Sequence, residues 1–410
     1  MTKVLILGAG SSHGHGVSNV SRPPLSSQFF CHSLSRKLKQ KYALLGRYLL
    51  QNADIDIDSE GRTDIEEAFA RLEPSWRLGS YDWREIVNRY GPEFVSANPI
   101  DMLRSYVTDL IYKSTRWLKN SLCPFHEFMV RSWLQKGDTI ISFNYDLIID
   151  MTLKKYRSWN EITGYGFRDA ELRRFFDKEK NSDVLLLKPH GSLNWFRATR
   201  LLWRSKGADS KDMDFESIPS IRVIPLELAL NGKTLQVDEK NAIFGVAIRV
   251  LSLFSTVIPE DYLEEGKFDF NVELLGNSLV ERDLYQKGYL PLIIMPTPNK
   301  PLEEMIFAEL SEVWKSVRSA LENCDEILSL GFSFRDDHFN QILFEATKSH
   351  PAPTKLTVVS RDVDEFDYIT NRFRSANIHF EHFDGWFKEY VSTHKKGPTK
   401  SLSRRIKPRI

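Results

Sequence analysis

The sequence predicts an α/β fold: a Rossmann-like parallel sheet with helices on both faces, interrupted by a large helical insertion and a second, mixed insertion. Three observations predict it. Short aliphatic runs, apolar on both faces, recur along the chain in the manner of central strands of a parallel sheet. Each run ends in small, polar or ionisable residues, at the strand edge where open parallel sheets bind their ligands. The first run, Lys3-Val4-Leu5-Ile6-Leu7, stops in the glycine-rich turn Gly8-Ala9-Gly10-Ser11-Ser12.

The other strands follow in order. Asp138–Phe143 ends at Asn144-Tyr145-Asp146, and Asp183–Lys188 ends at Pro189-His190-Gly191-Ser192. Leu290–Met295 is read as a further strand, closing on Pro296-Thr297-Pro298. Glu326–Leu330 ends at Gly331-Phe332-Ser333, and Lys355–Val359 ends at Ser360-Arg361-Asp362. Helices fill the gaps. Leu302–Asn323 places Met305, Leu310, Val313, Trp314, Val317 and Leu321 at near-helical spacing. Residues 31–136 read as mostly helical, with Asp64 and Glu67 forming a capping start and Pro99–Leu118 keeping a helical apolar rhythm. Residues 201–289 are mixed, with Gly, Asp and Ser-rich loops. The expected plan is one domain over 1–393 with core segments at about 1–30, 137–200 and 290–393. Insertions occupy 31–136 and 201–289, and 394–410 form a basic C-terminal tail.

Composition excludes several classes. The 410 residues hold 56 Lys+Arg against 55 Asp+Glu, and their apolar content is that of an ordinary globular protein. Cys31, Cys123 and Cys324 lie far apart with no CxxC pair, which disfavours a disulfide framework and a four-cysteine zinc site. No H-E-x-x-H is present, so no metal is expected. The N-terminus lacks a signal-peptide core, and no run approaches the ~18 apolar residues of a membrane span. A cytoplasmic protein without membrane contact is therefore expected. The tail carries seven Lys/Arg and no acid, leaving 49 basic against 55 acidic residues in the body. It reads as a solvated segment, with weak nucleic-acid contact as the alternative.

The chemistry-bearing residues sit at the strand ends. Gly8-Ala9-Gly10 begins like a dinucleotide fingerprint, in which glycines allow a tight turn and close approach to a pyrophosphate. His13 stands where the third glycine belongs, and no acid occurs between Gly10 and Asp54 to hold a ribose. A phosphate-binding turn is expected, and a standard hydride-transfer dehydrogenase is not. Asn144 and Asp146 suit a local turn as well as a binding role, and a lone His190 could be a satisfied structural histidine. Together, beside a phosphate turn, they suit glycosidic chemistry on a nucleotide: a base toward a hydroxyl or water, with amide and carboxylate orienting the substrate. Asp336 could serve only as a helix cap, or Gly331–Asp336 with Ser360 could wrap an adenosine. Asn231-Gly232-Lys233-Thr234 imitates the end of a P-loop, but Glu227 occupies the required first glycine.

The blocks VLILGAGSS, FNYD at 143–146, KPHGSLNW at 188–195, IIMPTPNKP at 293–301 and GFSFRDDHFNQIL at 331–343 resemble, in order, the sirtuin-like NAD-consuming domains of bacteria. The resemblance implies that NAD is the substrate. It gives the pyrophosphate to Gly8, Ala9, Gly10, Ser11 and Ser12, and the nicotinamide ribose or water to Asn144. Asp146 would hold the carboxamide, and His190 would be the catalytic base. Gly331, Ser333, Asp336 and Ser360 would line the ribose-adenine side, and Arg22-Pro23-Pro24 would belong to a cofactor loop. Sirtuin deacylases carry a zinc ribbon with paired CxxC motifs, which this chain lacks, so the resemblance points to NAD hydrolysis rather than deacylation. It further implies an antiphage effector that depletes NAD, acting as a homo-oligomer and with a companion ring ATPase or other defence protein. The alternative is a sensor subunit that binds NAD or ADP-ribose without cleaving it.

Overall fold

The computed structural model describes residues 2–58, 63–77, 99–161, 163–167, 181–198, 221–223, 226, 234–236, 269–271, 289–295, 308–395 and 406–408. Its strands are β1 (Lys3–Leu7), β2 (Thr139–Ser142), β3 (Leu185–Leu187), β4 (Gly191–Ala198), β5 (Ile221–Val223), β6 (Thr234–Gln236), β7 (Asp269–Asn271), β8 (Tyr289–Ile293), β9 (Glu326–Leu330), β10 (Thr354–Ser360), β11 (Ile378–Asp384) and β12 (Ile406–Pro408). The helices used below are α1 (Ala9–His13), α2 (Ser35–Lys41), α3 (Ala43–Ala53), α4 (Ile65–Arg77), α5 (Pro99–Ser114), α6 (Pro124–Phe128), α7 (Ile148–Tyr156), α8 (Ala308–Glu322), α9 (Asp337–Lys348), α10 (Val363–Arg372) and α11 (Phe387–Lys395).

Six parallel strands lie in the order β3-β2-β1-β9-β10-β11, and β12 adds an antiparallel edge beside β11. The sheet is a Rossmann-like α/β sheet. β1 is central, with Leu5 opposite Ile140 on one side and Leu328 on the other. Val4, Leu5 and Ile6 are wholly buried, as a strand covered on both faces requires. The chain leaves β1 for β2 and β3 on one flank, then takes β9, β10 and β11 on the other. The order reverses between β1 and β9, which makes their carboxyl ends the topological switch point.

Two strand expectations change. Leu290–Met295 does not join the main sheet: β8 pairs antiparallel with β4 in a three-stranded sheet, β5-β4-β8. The sixth parallel strand is instead β11, whose sequence IHFEHFD alternates polar and apolar. It lies toward the sheet edge and is only partly buried, so it lacks the continuous apolar signature of the inner strands. At the C-terminus, Ile406–Pro408 of the expected solvated tail pairs with Phe383, His382 and Glu381.

Within the expected helical insertion the described residues carry α2–α6, and 59–62 and 78–98 lie outside them. Asp64 Oδ1 accepts from the Glu66 N–H at 2.8 Å, and Ser26 Oγ donates to its other oxygen at 2.8 Å. Most of 201–289, the start of the Leu302–Asn323 helix, 296–301, Asn231–Lys233 and 396–405 lie outside the described residues. Among the described residues no helix is long and apolar enough to cross a membrane.

A buried Cys123–His126 pair ties this insertion to the core. The Cys123 thiol donates to the His15 carbonyl at 2.8 Å, and His126 Nδ1 lies 2.9 Å from the sulfur. The His126 ring meets Phe387 of α11 edge-on. Burial holds His126 down to about 3. The unfolded imidazole takes up a proton near pH 6.5 and the folded one does not, so stability falls as pH drops from 6.5 toward 3. His126→Gln is expected to flatten the melting temperature against pH across that window. A slope as steep as the parent's would refute the assignment.

Candidate functional site at the sheet switch point

Four chain turns meet at the carboxyl edge, each placed by the strand before it. The turns after β1 and β9 touch backbone to backbone. The Gly8 N–H donates to Leu330 O and the Gly10 N–H to Gly331 O, both at 3.1 Å, while the Ser11 N–H donates to Gly8 O at 2.9 Å. A methyl group on Gly8 would come within 2.3 Å of Gly331 O, and Gly331 itself holds φ +61°. Glycine is needed at both positions for close approach, and at Gly331 also for the left-handed backbone. Of the N–H groups expected at a pyrophosphate, those of Gly8 and Gly10 thus join the two turns, and that of Ser11 closes the β1 turn on itself. Phe334, the residue after Ser333, is a buried non-glycine residue at φ +52°, and Asn340 Nδ2 holds its carbonyl at 2.6 Å. A bulky side chain in that region stores strain at the site.

The turn after β2 reaches across to α1. Asn144 Nδ2 donates to Gly8 O at 2.9 Å, Ser12 Oγ at 2.9 Å and Ser11 Oγ at 3.2 Å. Asn144 therefore fixes the glycine turn as well as lying beside it. Asp146 is buried, accepts from the Ile148 N–H at 2.9 Å and takes a hydrogen bond from Ser12. Burial raises its pKa above the usual carboxylate range, opposed mainly by the positive charge of Lys188.

The turn after β3 carries His190. Gly191, at φ +86°, turns the chain sharply into β4, and its would-be methyl lies 1.9 Å from Leu292 O. The Ile294 N–H donates to His190 O at 2.9 Å, so β8 braces this turn from the second sheet. His190 Nε2 lies 2.9 Å from Asp336 Oδ2, both side chains nearly wholly buried. The other Asp336 oxygen caps α9 by accepting from the Phe339 N–H at 3.2 Å. Asp336 thus does two things at once, capping a helix and orienting an imidazole. Phe143 meets His190 edge-on at 4.8 Å and stacks on Phe332 at 4.3 Å, so the pair sits against an apolar wall.

Asn144, Asp146, His190, Asp336 and the Gly8–Ser12 and Gly331 turns form one connected cluster through these contacts. Ser360, at the end of β10, instead bonds Glu365 Oε2 at 2.7 Å beside the Asp362 cap of α10. Ser333 lies on the same turn as Gly331. The Arg22-Pro23-Pro24 loop is held by histidines: the Ser21, Arg22 and Pro23 carbonyls pair with His15 Nε2 (3.2 Å), His32 Nε2 (2.8 Å) and His13 Nδ1 (2.8 Å). No sequence pattern singled out His13, His15 or His32 for this role. Among the described residues no group of three or more His, Cys, Asp or Glu side chains could hold a metal ion. Lys188, Asp150 and Tyr165, which lie behind Asp146, were also missed. A lysine just before the Pro-His-Gly turn in an otherwise aliphatic strand was the available signal.

No family model matches the chain, and no curated protein matches it. Solved structures that match include a Sir2 variant with a deacetylated p53 peptide and 3′-O-acetyl ADP-ribose, at 11% identity and TM-score 0.33. Another is Sir2Tm bound to a propionylated peptide, at 11% identity and TM-score 0.30. Each match covers 97% of this chain and 93% of the other. At so low a TM-score the likeness adds no argument. The topology is read from the strand pairings alone.

Proposed function

We propose that the protein is an NAD glycohydrolase, cleaving NAD to nicotinamide and ADP-ribose. The observation that carries the reading is the buried His190–Asp336 pair facing the Asn144–Asp146 turn at the β1/β9 switch point. A histidine oriented by a carboxylate is the arrangement of a general base. Water attacks C1′ of the nicotinamide ribose as the C1′–N bond breaks. Its proton passes to His190, and nicotinamide leaves as a neutral base. The transition state is oxocarbenium-like, and buried carboxylates stabilise the charge that develops. Asp146 accepts from the carboxamide, and Ala9, Ser12, Gly331, Ser333 and Ser360 line the path of the remaining nucleotide. Because the Gly8, Gly10 and Ser11 N–H groups are engaged within the protein, the pyrophosphate meets this turn through its other groups. The role of NAD depletion in antiphage defence, a homo-oligomeric state and a companion ATPase belong to the same reading through the sequence resemblance.

Incubating purified protein with NAD and separating the products by chromatography is expected to give nicotinamide and ADP-ribose in equal amounts. Intact NAD together with saturable calorimetric binding would replace this reading with that of a sensor subunit.

A further inference from the structure

Behind Asp146 lies a charge pair that the reaction above does not use. Lys188 and Asp150 are both completely buried, with Lys188 Nζ at 3.1 and 3.3 Å from the two Asp150 oxygens. The same ammonium donates to the Asp146 backbone carbonyl at 2.7 Å. The Tyr165 hydroxyl donates to Asp150 from the other side. Lys188 leaves β3 two residues before His190, and its own carbonyl accepts the Gly191 N–H at 3.0 Å. One residue thus spans the turn bearing His190 and the turn bearing Asp146.

Stability alone does not account for such a pair. Removing two charges from water costs several kcal/mol, and well-packed apolar residues in their place are often neutral or stabilising. An aliphatic side chain would continue the apolar run Val184–Leu187. What the ammonium supplies, and an aliphatic side chain cannot, is a fixed positive charge beside a buried carboxylate.

We infer that Lys188 is a positioning residue for the reaction: clamped by Asp150, its ammonium holds the Asp146 turn in place and supplies the charge that lets a buried carboxylate face the carboxamide. The inference rests on the NAD-cleaving reading for its substrate, and on the geometry for the Lys188–Asp146 coupling. The groups around Asp146 are Lys188 at the end of β3, Asp150 of α7, Ser12 of α1, Cys123 just before α6, and Tyr165 beyond Asp150. Burial pushes the Cys123 thiol up to about 12 and raises the Tyr165 hydroxyl as well, so both stay neutral through the working pH range. Lys188 opposes the desolvation of Asp146, while Asp150 adds to it as a like charge.

The two partners therefore predict shifts of opposite sign. In full-length protein labelled with carbon-13 at the aspartate carboxyls, Asp146 is assigned by the signal lost in Asp146→Asn. Lys188→Met combined with Asp150→Asn removes the cation without stranding an anion, and is expected to raise the Asp146 midpoint, since Lys188 is the stronger of the two influences. Asp150→Asn alone keeps the cation and is nearly isosteric, and is expected to lower it. The acid limb of the pH profile of kcat/KM for NAD should move in the same direction as each midpoint. Folded variants with lower melting temperatures but an unmoved Asp146 midpoint would overturn the inference and leave the pair a structural link. If the double variant does not fold, the downward shift in Asp150→Asn decides alone. Absence of NAD turnover in the parent would defeat the hydrolase reading, while the carboxyl titration would still test the coupling.

Discussion

His190→Ala is expected to lower NAD turnover by about a hundredfold or more while the variant still melts cooperatively. A positioned general base contributes about 10²–10⁴ in rate, and among the described residues no other imidazole bonds into the Asn144–Asp146 cluster. His15 and His32 are committed to the Arg22 loop and are held below the ordinary imidazole value by burial. The variant also removes a partner of Asp336, at a cost of roughly 1–3 kcal/mol for a buried group losing a hydrogen bond. Two controls separate chemistry from folding. Asp336→Asn keeps an acceptor for the Phe339 N–H and therefore the α9 cap, but loses the negative charge beside the imidazole. Its turnover should fall less than that of His190→Ala, at nearly parental melting temperature. Asn144→Ala loses contacts to Gly8, Ser11 and Ser12 together. It should weaken NAD binding as well as turnover, because the glycine turn is then unbraced. Parental turnover in His190→Ala would remove the histidine from the mechanism altogether.

How much of this was legible in the sequence depended on whether one residue did one job. β1 and β9 were readable to the residue, because a strand buried on both faces shows a mainly aliphatic run and a glycine stop. β11 was not, because a partly exposed strand near the edge mixes His, Glu and Phe as any surface segment does. Asn144, Asp146 and His190 were found at strand ends, where topology collects ligand-binding groups. Asp336 was legible as a cap or as a site residue, and the structure has it bonding both to a helix N–H and to His190. The Lys188–Asp150 pair was invisible because its members stand 38 residues apart, and no local pattern couples a strand-end lysine to a helix aspartate. Likewise, the histidines holding the Arg22 loop follow no motif. Their common feature, three successive carbonyls to cover, exists only once the loop is folded.

Gly8→Ala is expected to destabilise the fold by about 3 kcal/mol or more and to abolish NAD binding. The added methyl would lie 2.3 Å from Gly331 O and 2.5 Å from the Phe332 Cα, both backbone atoms that no rotamer change can move aside. Overpacking typically costs 1–3 kcal/mol, and more where the neighbour is rigid. Here relief requires the β1 and β9 turns to separate, which breaks the Gly8–Leu330 and Gly10–Gly331 hydrogen bonds and opens the switch point. Gly331→Ala should act through the same contact, since its methyl would meet Ser11 N at 2.5 Å, and it adds the strain of φ +61°. Gly137→Ala isolates the second effect. At φ +93° with nothing within 4 Å of its would-be methyl, it carries backbone strain of about 1–2 kcal/mol and no collision. Urea midpoints ranked with Gly137→Ala nearest the parent, and Gly8→Ala and Gly331→Ala well below, would show that contact between the two turns holds the switch point together. Equal losses at all three glycines would mean that backbone conformation alone is responsible. In that case the switch point is shaped by each turn separately rather than by their junction.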